Sequence, residues 1–286
     1  MSKPTDKISR RRFVGSGARS LPLALSAAAS SNSLATPHQS RVIDGHMHLE
    51  AYGTYWDGLI EEIIEHYDHA EIDQGVVFTC WTASRESNDR TLFACKKYPD
   101  RFIPFGHIRT EDPDWESELE RIGKLGWKGI KLHQSEISRG PDLQEKTYSV
   151  VRKASSCGIR IMLIHLAKIE IVRELASSLP EAIWLLPHMG SYRNPDEMRQ
   201  YCDLAREMKN VYLDTSGAEY YRFGQQFEWA GVDKIIYASD GFWYSPYVEK
   251  AKIEILQLPT PFRTRKLTDE ELGMILGGNL KRLLQM

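Results

Sequence analysis

Gly129-Ile130-Lys131-Leu132-His133 and, further on, Ile159-Arg160-Ile161-Met162-Leu163-Ile164-His165 are the stretches on which the fold turns. Each is an apolar, β-branched run of strand length that ends in a histidine, and the residues between them have helical period. Strand, helix, strand at this spacing is the unit of a parallel sheet. Working outward in both directions, the same alternation recurs. Strand candidates are Arg41 to Asp44, Gly75 to Thr79, Phe102 to Gly106, Gly129 to Leu132, Ile159 to Ile164, Ile183 to Leu186, Val211 to Asp214 and Lys234 to Ala238. Strand then helix, eight times over, predicts a single α/β domain, a (β/α)₈ TIM barrel, over residues 37–286. An open doubly wound sheet is the alternative, but no G-x-G-x-x-G stands at a strand-helix junction to support it.

The helical segments carry their own punctuation. Gly58 to Asp73 places Leu59, Ile60, Ile63, Ile64 and Tyr67 on one stripe, with acidic residues and His66 and His69 on the solvated side. Asn194-Pro195 reads as an N-cap followed by proline at the first helical position, and Thr268-x-x-Glu271 as a capping box.

Composition narrows the function classes. Of 286 residues, 42% are hydrophobic and 27% charged, as in an ordinary globular chain. Lys plus Arg number 37 against 39 Asp plus Glu, so no bulk positive field exists to hold a nucleic acid. No uncharged apolar run reaches the roughly 18 residues of a membrane-spanning helix. A small molecule is the expected partner, and a homo-oligomer is compatible with the sequence. Cys80, Cys95, Cys157 and Cys202 show no C-x-x-C spacing and fall in or beside core-like segments, which suggests buried thiols.

The first 36 residues differ from the rest. Ser9-Arg10-Arg11-Arg12-Phe13-Val14 precedes a small, apolar run through Ala29 and the exit Ser33-Leu34-Ala35. This resembles a twin-arginine export signal, with Arg19 interrupting the apolar part, and it implies a bacterial periplasmic location. A disordered basic tail is the other reading of the same residues.

Polar residues concentrate at the C-terminal ends of the strand candidates, the face where barrel active sites sit. The first run continues into Asp44-Gly45-His46-Met47-His48, the fourth ends at Lys131 and His133, the fifth at His165, the sixth at His188 and the eighth at Ser239-Asp240. Residues two apart in a strand share a face, so His46 and His48 can chelate one ion. Of the nine histidines, His38, His66, His69 and His107 fall outside this set.

Together with Pro187-His188-Met189-Gly190, Asp214-Thr215-Ser216-Gly217 and Leu276-Gly277-Gly278-Asn279-x-x-Arg282-Leu283-Leu284, these motifs resemble the amidohydrolase superfamily. The likeness is nearest to its branch of small single-domain barrels, which includes aminocarboxymuconate semialdehyde decarboxylase-like enzymes. It departs from that branch at Ala238, often Gly, and at Phe242-Trp243, where a proline commonly follows the Ser-Asp motif. The resemblance implies that His46, His48, His165 and Asp240 hold one divalent ion, expected to be zinc, which acidifies water and polarises a substrate oxygen. It also implies that His188 orients or deprotonates that water and that Asp240 accepts a proton and passes it on. An N-cap role is the structural alternative for Asp240. Lys131 and His133 share a strand face and are expected to contact a substrate carboxylate, although in other branches a carboxylated lysine on this strand bridges two metals. Trp81, Arg193 and Trp243 follow strand ends and suit an organic anion. The expected activity is hydrolysis of a small carboxylate-bearing lactone, amide or ester. The alternatives are non-oxidative decarboxylation at the same site and a non-catalytic exported barrel that binds a ligand or metal.

Overall fold

Eight parallel strands lie in sequence order, β1 (Ile43–His48), β2 (Gln74–Phe78), β3 (Phe102–His107), β4 (Gly129–Leu132), β5 (Ile161–Ile164), β6 (Ile183–Leu186), β7 (Val211–Asp214) and β8 (Ile235–Ile236). This is the computed structural model of the chain, and it describes residues 41–50, 58–133, 143–165, 168–191, 194–258 and 266–286. The leader expected over residues 1–36, together with Tyr192 and Arg193, lies outside the described residues. Register runs evenly round the central strands: Lys131 pairs with Leu163, and Leu163 with Leu185. The first and last strands meet through Gly45 N–H to Tyr237 O at 2.9 Å, Asp240 N–H to His46 O at 2.7 Å and His48 N–H to Gly241 O at 2.9 Å. The architecture is the (β/α)₈ barrel that the alternation predicts.

Between the strands lie α1 (Leu59–His69), α2 (Ser84–Lys97), α3 (Trp115–Lys124), α4 (Leu143–Ser156), α5 (Ile169–Ser178), α6 (Pro195–Glu207) and α7 (Phe223–Ala230). After β8 come α8 (Pro246–Glu254), α9 (Asp269–Gly273) and α10 (Asn279–Leu284), the last two joined by a π turn over Met274–Gly278. Helix α1 buries Leu59, Ile60, Ile63 and Tyr67, as its stripe requires, with Ile64 half-buried and His66 and His69 exposed. The Asn194 side chain accepts from the Asp196 and Glu197 amides, and Thr268 and Glu271 form the reciprocal capping box, so both helix starts read from sequence are present.

Two apolar layers result from the period-two alternation. Ile43, Val76, Phe78, Phe105, Ile161, Leu163, Leu185 and Ile236 fill the barrel interior, joined by Leu280 and Leu284 of α10. The opposite faces of the same strands, such as Val77, Ile130, Met162 and Trp184, pack in the outer core that includes the helices. The motif at 276–284 is a structural clamp. Asn279 donates to Val232 O and Ile235 O at 2.7 and 2.9 Å, Arg282 donates to Asp233 O at 2.9 Å, and a Cβ on Gly277 would lie 1.9 Å from the Arg41 carbonyl. Only glycine lets this turn lie so close to the start of β1.

Some boundaries differ from the sequence reading. β1 starts at Ile43 and runs on through His48, β5 starts at Ile161, and β8 is only two residues long. The continuation of β1 rests on a register shift between Asp44 and Met47, a β-bulge. Ile43 points into the barrel and Asp44 outward to Tyr67 of α1, so simple alternation would put His46 outside; the bulge restores it to the interior. His107 belongs to the strand ends after all: it is the last residue of β3 and fully buried. Among the cysteines, Cys80 and Cys202 are buried, whereas Cys95 and Cys157 are half-buried because each sits at a helix flank; all four are free thiols.

Candidate metal centre

The mouth of the barrel brings His46, His48 and Asp240 together. Their Nε2, Nε2 and Oδ1 atoms lie 3.4 Å apart between the two rings, and 3.1 and 3.2 Å from the carboxylate oxygen to His46 and His48. Among the described residues this triad is one of two groups able to hold a metal ion. The separations approach the edge of about 3.3 Å expected for a tetrahedron of N and O ligands around zinc. Asp240 reaches the site through a left-handed backbone, φ 56°, pinned by its N–H on His46 O.

The other face of each imidazole carries a carboxylate. His46 Nδ1 meets Asp214 Oδ2 at 3.0 Å, and His48 Nδ1 meets Glu50 Oε1 at 3.2 Å. Donation of each Nδ1–H to a carboxylate leaves the lone pair on Nε2, the tautomer a metal ligand needs. The donor chemistry therefore fits a divalent ion. One feature competes for the same lone pair: Lys131 Nζ lies 2.9 Å from His46 Nε2. An ion taking that position requires the Lys131 amine to turn away from His46 Nε2.

Asp214 links the triad to His188. Its Oδ1 accepts from the His188 amide at 3.0 Å, the Ser216 amide at 3.0 Å and the Ser216 hydroxyl at 2.6 Å. The His188 ring in turn sets Nδ1 against Ser216 O at 2.9 Å. A carbonyl can only accept, so Nδ1 carries the proton and Nε2 the basic lone pair. His188 and Met189 have φ 60° and 55°, left-handed values costly for side chains of this size, and Gly190 follows at φ 83°. That sharp turn aims His188 at the centre, 5.9 Å from the His46 ring and 4.9 Å from that of His165.

Electrostatics follow from burial. Desolvation lowers His46, His165 and Lys131 from their ordinary values, each also opposed or aided by neighbouring charge. Burial likewise lowers His188. Asp240 runs against its burial: His46, His48 and His188 hold its carboxyl well below the usual range. His48 is raised, despite burial, by Cys80, Asp240 and Glu50.

The remaining candidates divide between the buried site and its exposed rim. His165 stands outside the three-atom group, stacked on His133 with ring centroids 5.1 Å apart and planes 11° from parallel. His133 is half-buried and packs against Trp81 at 5.4 Å. Trp81 and Trp243 are 47% and 45% exposed, which puts both on the rim. Lys131 is buried and sits 5.0 Å above the Phe78 ring. Arg193 falls outside the described residues.

Sequence reading assigned no role to Asp214, Ser216, Glu50 or Cys80. For Glu50 a signal existed, because the period that joins His46 to His48 extends to it. Asp214 ends β7 as the other site residues end theirs, but nothing in its neighbours shows which histidine it holds.

Behind the β7 loop, Glu249 of α8 accepts from the Gly217 amide at 3.1 Å and pairs with Lys252. Burial, only partly offset by Lys252, pushes its carboxyl from 4.5 up to about 7. A folded-state value above the unfolded one stabilises fully below pH 4.5 and is lost as pH rises through about 7. At about 1.36 kcal/mol per unit, the stability of wild type relative to Glu249→Gln should fall by up to about 3 kcal/mol between pH 4 and pH 8. Urea unfolding of both proteins at the two pH values measures it, and a constant difference would contradict the assignment.

Comparisons with known proteins bear on the fold and the family. Among solved structures, 5-carboxyvanillate decarboxylase from Novosphingobium aromaticivorans, complexed with manganese and 4-hydroxy-3-methoxy-5-nitrobenzoic acid, superposes with a TM-score of 0.64 at 16% identity, covering 86% of this chain and 96% of that one. A probable 2-pyrone-4,6-dicarboxylic acid hydrolase from Acinetobacter baumannii, with citric acid bound, gives 0.61 at 18% identity, covering 86% and 100%. 2,6-Dihydroxybenzoate decarboxylase from Rhizobium gives 0.62 at 14% identity, covering 86% and 99%. At these identities the likeness is one of fold. No curated protein sequence matches the chain. The family model described as Amidohydrolase matches residues 43–286, from the first barrel strand to the last residue, and the chain belongs to that family.

Proposed function

We propose that the protein is a metal-dependent hydrolase of a small, carboxylate-bearing organic molecule, a lactone, ester or amide, with a single ion held by His46, His48 and Asp240. The observation that carries this reading is the convergence of the two Nε2 atoms and Asp240 Oδ1 within 3.4 Å, each imidazole backed by a carboxylate. When bound, a divalent ion supplies Lewis acidity, polarising a substrate oxygen and bringing the acidity of water toward pH 7. The chain does the rest. His188 Nε2 accepts a hydrogen bond from the attacking water and fixes its direction. Asp240, held ionised by its histidines, takes the proton and returns it to the leaving oxygen or nitrogen. Lys131, released from His46, pairs with the substrate carboxylate, while Trp81 and Trp243 cover the substrate from the rim. His165 joins as a fourth ligand or stays stacked on His133 as the pocket wall. Two imidazoles and a carboxylate favour zinc and also accommodate manganese.

Decarboxylation is the second reading, favoured by the folds shared with two decarboxylases of aromatic acids. It uses the same residues but leaves His188 no water to direct. Screening the metal-loaded protein against cyclic and aromatic carboxylates separates the two: ring-opened or cleaved acids support hydrolysis, and carbon dioxide with the intact remainder supports the lyase. His188→Ala and Asp240→Ala variants that change nothing but metal affinity would leave a binding protein.

We also propose that Arg10 and Arg11 direct export of the folded barrel to the bacterial periplasm. Replacing both by lysine should keep the protein in the cytoplasm, and a wild-type protein found there at full length would refute export.

A further inference from the structure

A second set of donors lies directly behind His48. Glu50, two residues past the end of β1, and Cys80, just past β2, converge on the Nδ1 side of the imidazole whose Nε2 faces the triad. His48 Nδ1 and Glu50 Oε1 are 3.2 Å apart, Cys80 Sγ and Glu50 Oε1 3.4 Å, and Cys80 Sγ and His48 Nδ1 3.6 Å. All three side chains are buried. With Zn–N and Zn–O bonds of about 2.0 Å and Zn–S of about 2.3 Å, a tetrahedron has N–O edges of about 3.3 Å and edges to sulfur of about 3.5 Å. The measured triangle matches these edges in order and in size.

A hydrogen-bonded network accounts for part of this arrangement. Glu50 Oε1 faces His48 Nδ1, the Cys80 thiol and the Cys80 amide, the last at 3.0 Å. It does not account for the other oxygen. Glu50 is 3% exposed, and its Oε2 is buried with no hydrogen-bond partner. A buried carboxylate oxygen without a donor is costly unless a cation completes it.

We propose that His48 Nδ1, Glu50 and Cys80 form a second cation site, selective for borderline or soft divalent ions such as zinc or cadmium over magnesium or calcium, because a thiolate and an imidazole supply two of its donors. It shares His48 with the centre proposed above and to that extent rests on that reading. Occupancy releases two protons to solvent, one from His48 Nδ1 and one from Cys80 Sγ, and leaves the imidazole bridging two ions. Glu50 exchanges its role as acceptor of the Nδ1 proton for that of ligand. The site therefore has a one-ion state, in which Glu50 orients His48, and a two-ion state, in which it binds.

Cobalt titration of the full-length protein, followed by absorption and by bound-metal analysis after gel filtration, tests this. The expected result is two equivalents bound, the second bringing a near-ultraviolet thiolate-to-cobalt charge-transfer band. Cys80→Ser, nearly isosteric, should remove the band and halve the bound cobalt. His46→Ala should lose the other equivalent and keep the band, so that failure of the first centre is distinguished from failure of the second. Saturation at one equivalent without the band, or a band that survives Cys80→Ser, would overturn the proposal. If a folding defect clouds the serine variant, Cys80→Ala decides in its place: the band and the second equivalent should both be lost, and a band that persists would come from one of the other three free thiols and overturn the proposal.

Discussion

Asp240→Asn is expected to yield a folded protein that purifies with little metal and turns over its substrate on the order of 10⁴-fold more slowly. The choice of asparagine follows from the backbone. Asp240 sits at φ 56°, a region that Asn tolerates and most residues do not, so Asn removes the charge without adding strain. The lost charge counts twice, because the same carboxylate meets both Nε2 atoms and is the proton acceptor of the proposed reaction. Elemental analysis and thermal unfolding check the two halves of the expectation. A variant retaining metal and most of its activity would show that Asp240 is only a helix-capping or turn residue.

The second large effect is expected at a residue that touches neither ion nor substrate. In Asp214→Asn the amide keeps an oxygen for the three donors on the His188 side, so its NH₂ faces His46 Nδ1. Donor against donor forces His46 into the opposite tautomer, with the proton on Nε2, where an ion cannot bind. Metal affinity should drop by about 10- to 100-fold, the range for loss of a partner behind a ligating histidine. Chelator competition measures it, and nitrogen shifts of the His46 ring report the tautomer. Unchanged affinity with an unchanged tautomer would remove Asp214 from the metal centre.

The barrel was legible because each strand and helix obeys its own period over enough residues to be seen, and the caps at Asn194 and Thr268 mark helix starts by local chemistry alone. His46 and His48 were legible for the same reason, lying two apart on one strand. Glu50 continued the pattern but had no meaning without Cys80, which follows the next strand. The bulge at Gly45 left no mark in the alternation, since a single extra residue inverts the facing of a strand without altering its composition. Asp214 illustrates the other limit. A carboxylate at a strand end reads equally as ligand, base or prop, and only the positions of His46 and His188 decide among them.

The bonds that close β8 onto β1 come from the residues flanking the site: Asp240 N–H on His46 O, and Ser239 on Asp44, 195 positions away in sequence. Ring closure and site assembly are thus a single event, and one of very long contact order. During synthesis the two histidines emerge with the first strand, and the carboxylate that completes their triad follows only at Asp240. No shorter nascent barrel has both sides of the centre. The ion proposed for His46, His48 and Asp240 would span that seam, and would act there as a latch between the first and last strands of the barrel.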